Sequence, residues 1–258
     1  VTVEAWTQAV RLQLELGRLL PLGEPDDGAW ITEQAAVRVL GRAAAEVPGV
    51  GLETLRVGAI PLASSSEPAV PPPVSALPPG PLRIEATLSA AMQQSLSHTA
   101  EQLRSALLSA AVERLGLAAV AADLHITDLL QSPEAAARSQ TPEMALRLTR
   151  EAAAARSPHP APGPVPAREP SGELADVIMA VPGVARLTPV LGTRPVKMQR
   201  HDDPPGRHIE VQLAVAPGHH PLKVARAVRA AVAGAAADDA PGPVTAAVLI
   251  TEVEDDDS

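Results

Sequence analysis

The sequence predicts an α+β protein of two tandem small α-β-β-α-β units, each a short sheet covered by helices. Three observations carry that reading. Apolar residues pass from helical spacing to strict alternation in the same order twice along the chain. A Val-Pro-Gly-Val turn stands at the same place in each passage, at residues 47–50 and again at 181–184. Each passage closes on a similar strand end, Ile126-Thr127-Asp128 in the first and Ile250-Thr251-Glu252 in the second.

Taken in order, Val3 to Leu20 reads as an amphipathic helix, with Trp6, Val10 and Leu14 four residues apart and Pro21 and Gly23 as its stop. Thr32 can cap a second helix whose apolar face is Ala36, Val37, Leu40 and Ala44, ending before Pro48-Gly49. Val50 to Ile60 suits a strand. Leu82, Ile84, Ala86 and Leu88 alternate with polar residues as a half-buried strand should. The proline-rich stretch 61–81 between them lacks too many backbone donors to join a sheet and reads as an elongated hairpin loop. A helix from Ser97 to Leu115 buries Leu103, Leu107, Ala111 and Leu115, leaves Arg104, Ser105 and Arg114 to water, and stops at Gly116. Val120, Ala122, Leu124 and Ile126 then form the inner face of the unit's last strand, with Asp123, His125 and Thr127 opposite.

A helix opened by Thr141-Pro142 and a stiff proline-rich linker follow. In the second passage Leu174, Val177, Ile178 and Val181 line a short helix, and Val184 to Leu191 is extended. Ile209, Val211, Leu213 and Val215 face inward from the next strand. Val224, Val228 and Val232 line the last helix. The expected divisions are an N-terminal helix and turn at 1–28, a first unit at 29–132, a helix and linker at 133–170, a second unit at 171–254 and an acidic tail at 255–258.

The 258 residues suit two domains, which commonly run about 100–150 residues each. Hydrophobic residues make up 46%, yet the only aromatic ones are Trp6 and Trp30, so the core must be packed from Ala, Val, Leu and Ile. Cationic residues are almost all Arg, and Ala and Pro abound, as in a GC-rich genome such as an actinobacterial one. A net charge of −9 and a pI near 5.3 argue against nucleic-acid partners, because phosphate binding needs clustered cations. Without cysteine there is no disulfide, thiolate metal site or thiol nucleophile. Glu4, Arg11, Glu15 and Arg18 interrupt the first apolar stretch, and no run of about 18 apolar residues occurs. The expectation is a cytoplasmic protein with no direct membrane span, membrane-associated only through a partner.

The chain contains no Gly-x-Ser-x-Gly elbow, no phosphate-binding glycine-rich loop and no His-Glu-x-x-His. Ser64-Ser65-Ser66 has no placed base, so no catalytic residues, cofactor or metal are assigned and a non-enzymatic protein is expected. His201, Asp202, Asp203 and His208 have metal-ligand chemistry, but Pro204-Pro205-Gly206 marks a hairpin tip on which they read as solvated. His219-His220 reads as a pair at the start of a helix. Pro48, Gly49, Pro182 and Gly183 read as structural turns, proline stopping a helix and glycine allowing positive φ. Lys223, Arg226 and Arg229 form a basic stripe, read as a solvated face or as a docking surface for an acidic partner or lipid headgroups. The tail from Glu252 to Asp257 reads as a solubilising end, or as a match for such a stripe in another chain.

The second passage, Ser171 to Glu254, resembles the alkaline shock protein family of bacterial envelope stress-response proteins. The resemblance rests on Val181-Pro182-Gly183-Val184, the strand Ile209 to Val215, the helix start from Pro221 to Val228 and the ending Ile250-Thr251-Glu252-Val253. The first passage, Ile31 to Leu130, is a more divergent match. The resemblance implies a small non-enzymatic cytoplasmic protein that associates with its own kind and with membrane-anchored partners. The alternative from the residues themselves is a ferredoxin-like regulatory module whose two units enclose a small ligand.

Overall fold

The computed structural model describes residues 18–60, 67–73, 75–92, 95–131, 170–190, 194–202, 205–237 and 242–255. Residues 3–17 of the helix expected at 3–20, the helix expected at 141–155, the serine run and the linker up to 169 lie outside them. The described residues form an α+β fold with helices packed on mixed sheets. Strands β1 (Leu19–Leu22) and β2 (Ala29–Thr32) are followed by α1 (Glu33–Ala45), β3 (Val50–Ala59) and β4 (Leu82–Ala91). Helix α2 (Leu96–Ser109) continues through a wider π-helical segment, Ala110–Leu115, into β5 (Ala119–Leu130). Then come α3 (Pro170–Met179), β6 (Val184–Leu187), β7 (Val196–Asp202), β8 (Pro205–Val215), α4 (Pro221–Ala237) and β9 (Val244–Val253).

β3, β4 and β5 make one sheet, β3 antiparallel and β5 parallel to the central β4. β8 is the corresponding centre of the larger sheet. β6 and β7 lie antiparallel along one side of it, as one edge interrupted near Pro195, and β9 runs parallel on the other. The correspondence reaches single atoms. In both sheets the parallel register slips one residue before the end, at Leu88/Ser89 against Ile126/Asp128 and at Leu213/Ala214 against Ile250/Glu252. The skipped residue is a threonine whose hydroxyl donates to the central strand, Thr127 to the Leu88 carbonyl and Thr251 to the Leu213 carbonyl, each at 3.2 Å.

The Val-Pro-Gly-Val turns are alike as well. Gly49 and Gly183 have φ of +77° and +91°. Their carbonyls accept from the residue just past or at the end of the central strand, Ala91 N at 2.8 Å and Ala216 N at 2.9 Å. Pro48 and Pro182 follow the ends of α1 and α3, as expected of a residue that cannot continue a helix.

One correction concerns the N-terminal region. Leu19 and Leu20 belong to a strand rather than the end of a helix, and β1 and β2 form a hairpin around a short 3₁₀ turn, Pro25–Asp27. β2 pairs in parallel with β9, so residues 29–32, expected in the first unit, extend the larger sheet. The alternation that marks strands was hidden because all four residues of β1 and of β2 are buried. Immediately after β2, the Thr32 hydroxyl accepts from Ala35 N and caps α1 as expected.

The inner stripes are where the spacing places them: Leu103, Leu107, Leu115, Ile209, Leu213, Val228 and Val232 are fully buried. Each such side chain contributes about 1.5–3 kcal/mol. α1 buries Ala35, Ala36, Val39, Leu40, Ala43 and Ala44, and joins the two sheets' interiors in one core. Val120 departs from expectation, being 61% exposed, because a register shift between Ala119 and Ala121 turns it out of the inner row. The proline-rich segment does more than loop. Ser75 O accepts from Leu19 N, Leu19 O accepts from Leu77 N, and Val70 packs with Leu19, Trp30, Ala247 and Leu249 over the outer face of the larger sheet.

Candidate interaction surface

The basic stripe on α4 divides into different roles. Arg226 grips the Asp27 carboxylate with two hydrogen bonds of 2.6 and 2.7 Å. That guanidinium holds the Asp27 carboxyl below its ordinary value, against the opposing effect of burial. Arg229 donates to the carbonyls of Ala246 at 2.9 Å, Asp26 at 2.7 Å, and Asp27. Both arginines therefore hold the β1–β2 turn onto α4 and β9. Lys223, one turn earlier, lies on the exposed side of the helix.

The acidic end of β9 is similarly engaged. Glu252 pairs with Arg38 and Arg186, Glu254 with Arg186 and Asp255 with Arg42, tying the end of β9 to α1 and β6. Its described part is thus a structural lock, and residues 256–258 lie outside the description.

His208 is buried, with Nδ1 2.8 Å from the Thr245 hydroxyl. His201 and Asp202 end β7, opposite Gly206 and Pro205, which belong to β8 rather than to a loop tip, and 203–204 lie outside the described residues. Among the described residues no three His or carboxylate groups converge on a metal position. His219 and His220 do precede α4, with Nδ1 of His219 2.9 Å from the Pro217 carbonyl. Burial, with Lys223 nearby, lowers the pKa of His220.

His219 and His220 border a groove between the units, together with Arg42, Arg114 and Glu254. Arg114 pairs with Glu46 by two bonds of 2.9 and 3.0 Å and holds that carboxyl below its ordinary value. Burial, with Arg114 and Arg38 close by, weakens the hold of Arg42 on its proton.

Among the described residues no helix or strand crosses the outer face of the three-stranded sheet. Two rows cross it in register, Arg56–Glu85–Asp123 and Thr54–Thr87–His125, and together they border a shallow hollow. Arg83 reaches Asp123 at 3.2 Å. Arg56, Glu85, Asp123 and His125 are exposed, as alternation along these strands implies.

The two third strands differ at their outer edges. Val248 N, on β9, donates to Gly28 O at 3.0 Å, and β2 covers that edge. Leu124 holds the matching place on β5, opposite Ala86 as Val248 is opposite Val211. β5 ends its sheet, and among the described residues no strand covers its outer edge. Even the arginines correspond. Arg104 Nε donates to Ala122 O at 3.2 Å, as Arg229 Nε does to Ala246 O. Arg104, expected simply to face water, sits where its counterpart grips a covering turn, and pairs instead with Glu101 at 2.6 Å. Only alignment of the two last helices, residue for residue, could have signalled this in the sequence.

No protein-family model and no curated protein sequence matches this chain. No helix among the described residues is long and apolar enough to cross a membrane.

Proposed function

We propose that the chain is a non-enzymatic interaction or scaffold protein, built from a duplicated unit and working in the envelope stress response that the resemblance implies. The observation that carries this reading is the asymmetry between matching surfaces. The larger sheet is covered on its β9 side by the chain's own hairpin and proline-rich segment, while among the described residues no strand covers β5 and the polar rows beside it are exposed. An open strand edge offers a row of amides and carbonyls to an extended partner, which is a common mode of protein recognition.

Glu85 and Glu210 hold the same place in the two units, and a photoreactive side chain at each tests the reading in cells. Protein adducts are expected from position 85 and not from 210. Absence of adducts at 85, or equal yield at both, contradicts it.

A second reading, a ferredoxin-like module for a small ligand, is favoured by the groove bordered by Arg42, Arg114, His219 and His220 between the units. Its cations face Glu113, Glu254 and Asp255 across the groove, which suits a small polar molecule, and a thermal-shift screen of metabolites tests it: a flat response contradicts it.

A further inference from the structure

We infer that β5 joins a second copy of this chain, β5 against β5 antiparallel about a twofold axis at Leu124. The inference rests on the interaction reading above and names the occupant of its open edge.

The β1 and β3 edges are partly occupied, and β7, on the far edge of the larger sheet, carries Lys197. At β1 the Leu19 amide and carbonyl are taken by Ser75 and Leu77. At β3 the Val57 amide donates to Glu33 at 3.1 Å and its carbonyl accepts from Arg18 at 3.1 Å. β5 is the longest strand, at 12 residues, and has neither proline nor lysine along it, the residues that usually guard an edge. Among the described residues two side chains bond its backbone, Arg104 on the Ala122 carbonyl, which can accept a second bond, and Asp128 on the Leu129 amide. The match to Val248 points the Leu124 amide outward, and alternation does the same for Ala122 and Ile126.

Charge selects the occupant and the register. A twofold axis at Leu124 sets Leu124 against its own copy and Ala122 against the partner's Ile126. On the open face it sets Asp123 against the partner's His125, and by symmetry His125 against the partner's Asp123. It also brings the partner's Asp128 to the end of the edge where Arg104 sits. Val120 and Leu129, which are 61% and 45% exposed, fall in neighbouring rows at the two ends of the seam. A register centred on His125 would face one imidazole with another and leave Asp123 against threonine. A carboxylate opposite an imidazole can accept its N–H, and like charges directly opposite destabilise a strand pair.

Sedimentation velocity on the purified full chain should give a species of twice 26.6 kDa. H125D places aspartate against aspartate twice and should weaken self-association by about tenfold. The exchange D123H/H125D should restore it. Because the chain has no cysteine, the register can be read directly. A mixture of D123C and H125C chains, oxidised in air, should give a covalent dimer that neither variant forms alone, since directly opposed residues lie within disulfide reach. A monomer at every concentration, a dimer indifferent to H125D, or crosslinking of H125C by itself overturns the inference. If the purified chain is monomeric while adducts from position 85 persist in cells, this inference falls and the interaction reading stands.

Discussion

β5 and β9 are matching strands with opposite fates. Both lie parallel to the centre of their sheet, slip register at a threonine, and have a carbonyl held by an arginine of the preceding helix. Around β9 the chain adds β2, a gripped turn and a buried tryptophan; around β5, among the described residues, it adds none of these. One backbone plan can therefore present a finished surface or an adhesive one, depending on whether a short hairpin is spent on its edge. The hairpin that covers β9 leads directly into α1 and the three-stranded sheet, so the expected division at residue 28 falls inside the hairpin of the larger sheet.

The largest expected difference between the two edges is in stability. Trp30→Ala removes a fully buried side chain that closes the β9 side and should cost about 3–5 kcal/mol in urea unfolding. Val120→Ala, on the β5 side, should change stability by less than about 0.5 kcal/mol.

The gripping arginines come next. Arg229→Met loses three carbonyl contacts and should cost about 1–2 kcal/mol, whereas Arg104→Met, losing one partly exposed contact and a surface pair, should cost about 0.5 kcal/mol. Equal costs would mean that the turn does not depend on Arg229.

The paired glycines sharpen the comparison further. Alanine at either position must adopt a left-handed backbone, at about 1 kcal/mol. At Gly183 the added methyl would also stand 2.7 Å from His219 and Val224, against 3.2 Å from Ala91 at Gly49. Gly183→Ala should therefore lower the melting temperature more than Gly49→Ala.

The smallest effect is on pH dependence. His220 has its folded pKa lowered from 6.5, so the unfolded chain binds its proton first. Its share of stability is complete above pH 6.5 and is lost as pH falls toward the lower folded value. His220→Gln should flatten that part of the stability profile. The Asp27–Arg226 pair follows the carboxylate rule: its contribution is full above 3.8 and fades below that value, as pH falls through the lowered folded pKa. Arg226→Met should remove this acid-side fall.

Much of this was legible in the residues. Helical stripes such as Leu103–Leu107 and alternating strands such as Ile209–Leu213 follow from the periods of the two backbones, and the turns follow from proline and glycine chemistry. β1 and β2 were not legible, because strands covered on both faces lose their alternation. Nor was the role of Arg226 and Arg229, since a sequence shows their spacing on a helix but not an aspartate 199 residues away. The open face was half legible: Asp123 and His125 could be put on the outer side, but the bare edge beside them emerges only from the pairing of strands.

Residue-resolved hydrogen exchange on the full chain, at concentrations low enough to give monomer, compares the outward amides directly. The Val248 amide, bonded to Gly28, should exchange slowly, and the Leu124 amide should exchange orders of magnitude faster, gaining protection only as concentration rises. Equal, concentration-independent protection at Leu124 and Val248 would contradict an open β5 edge.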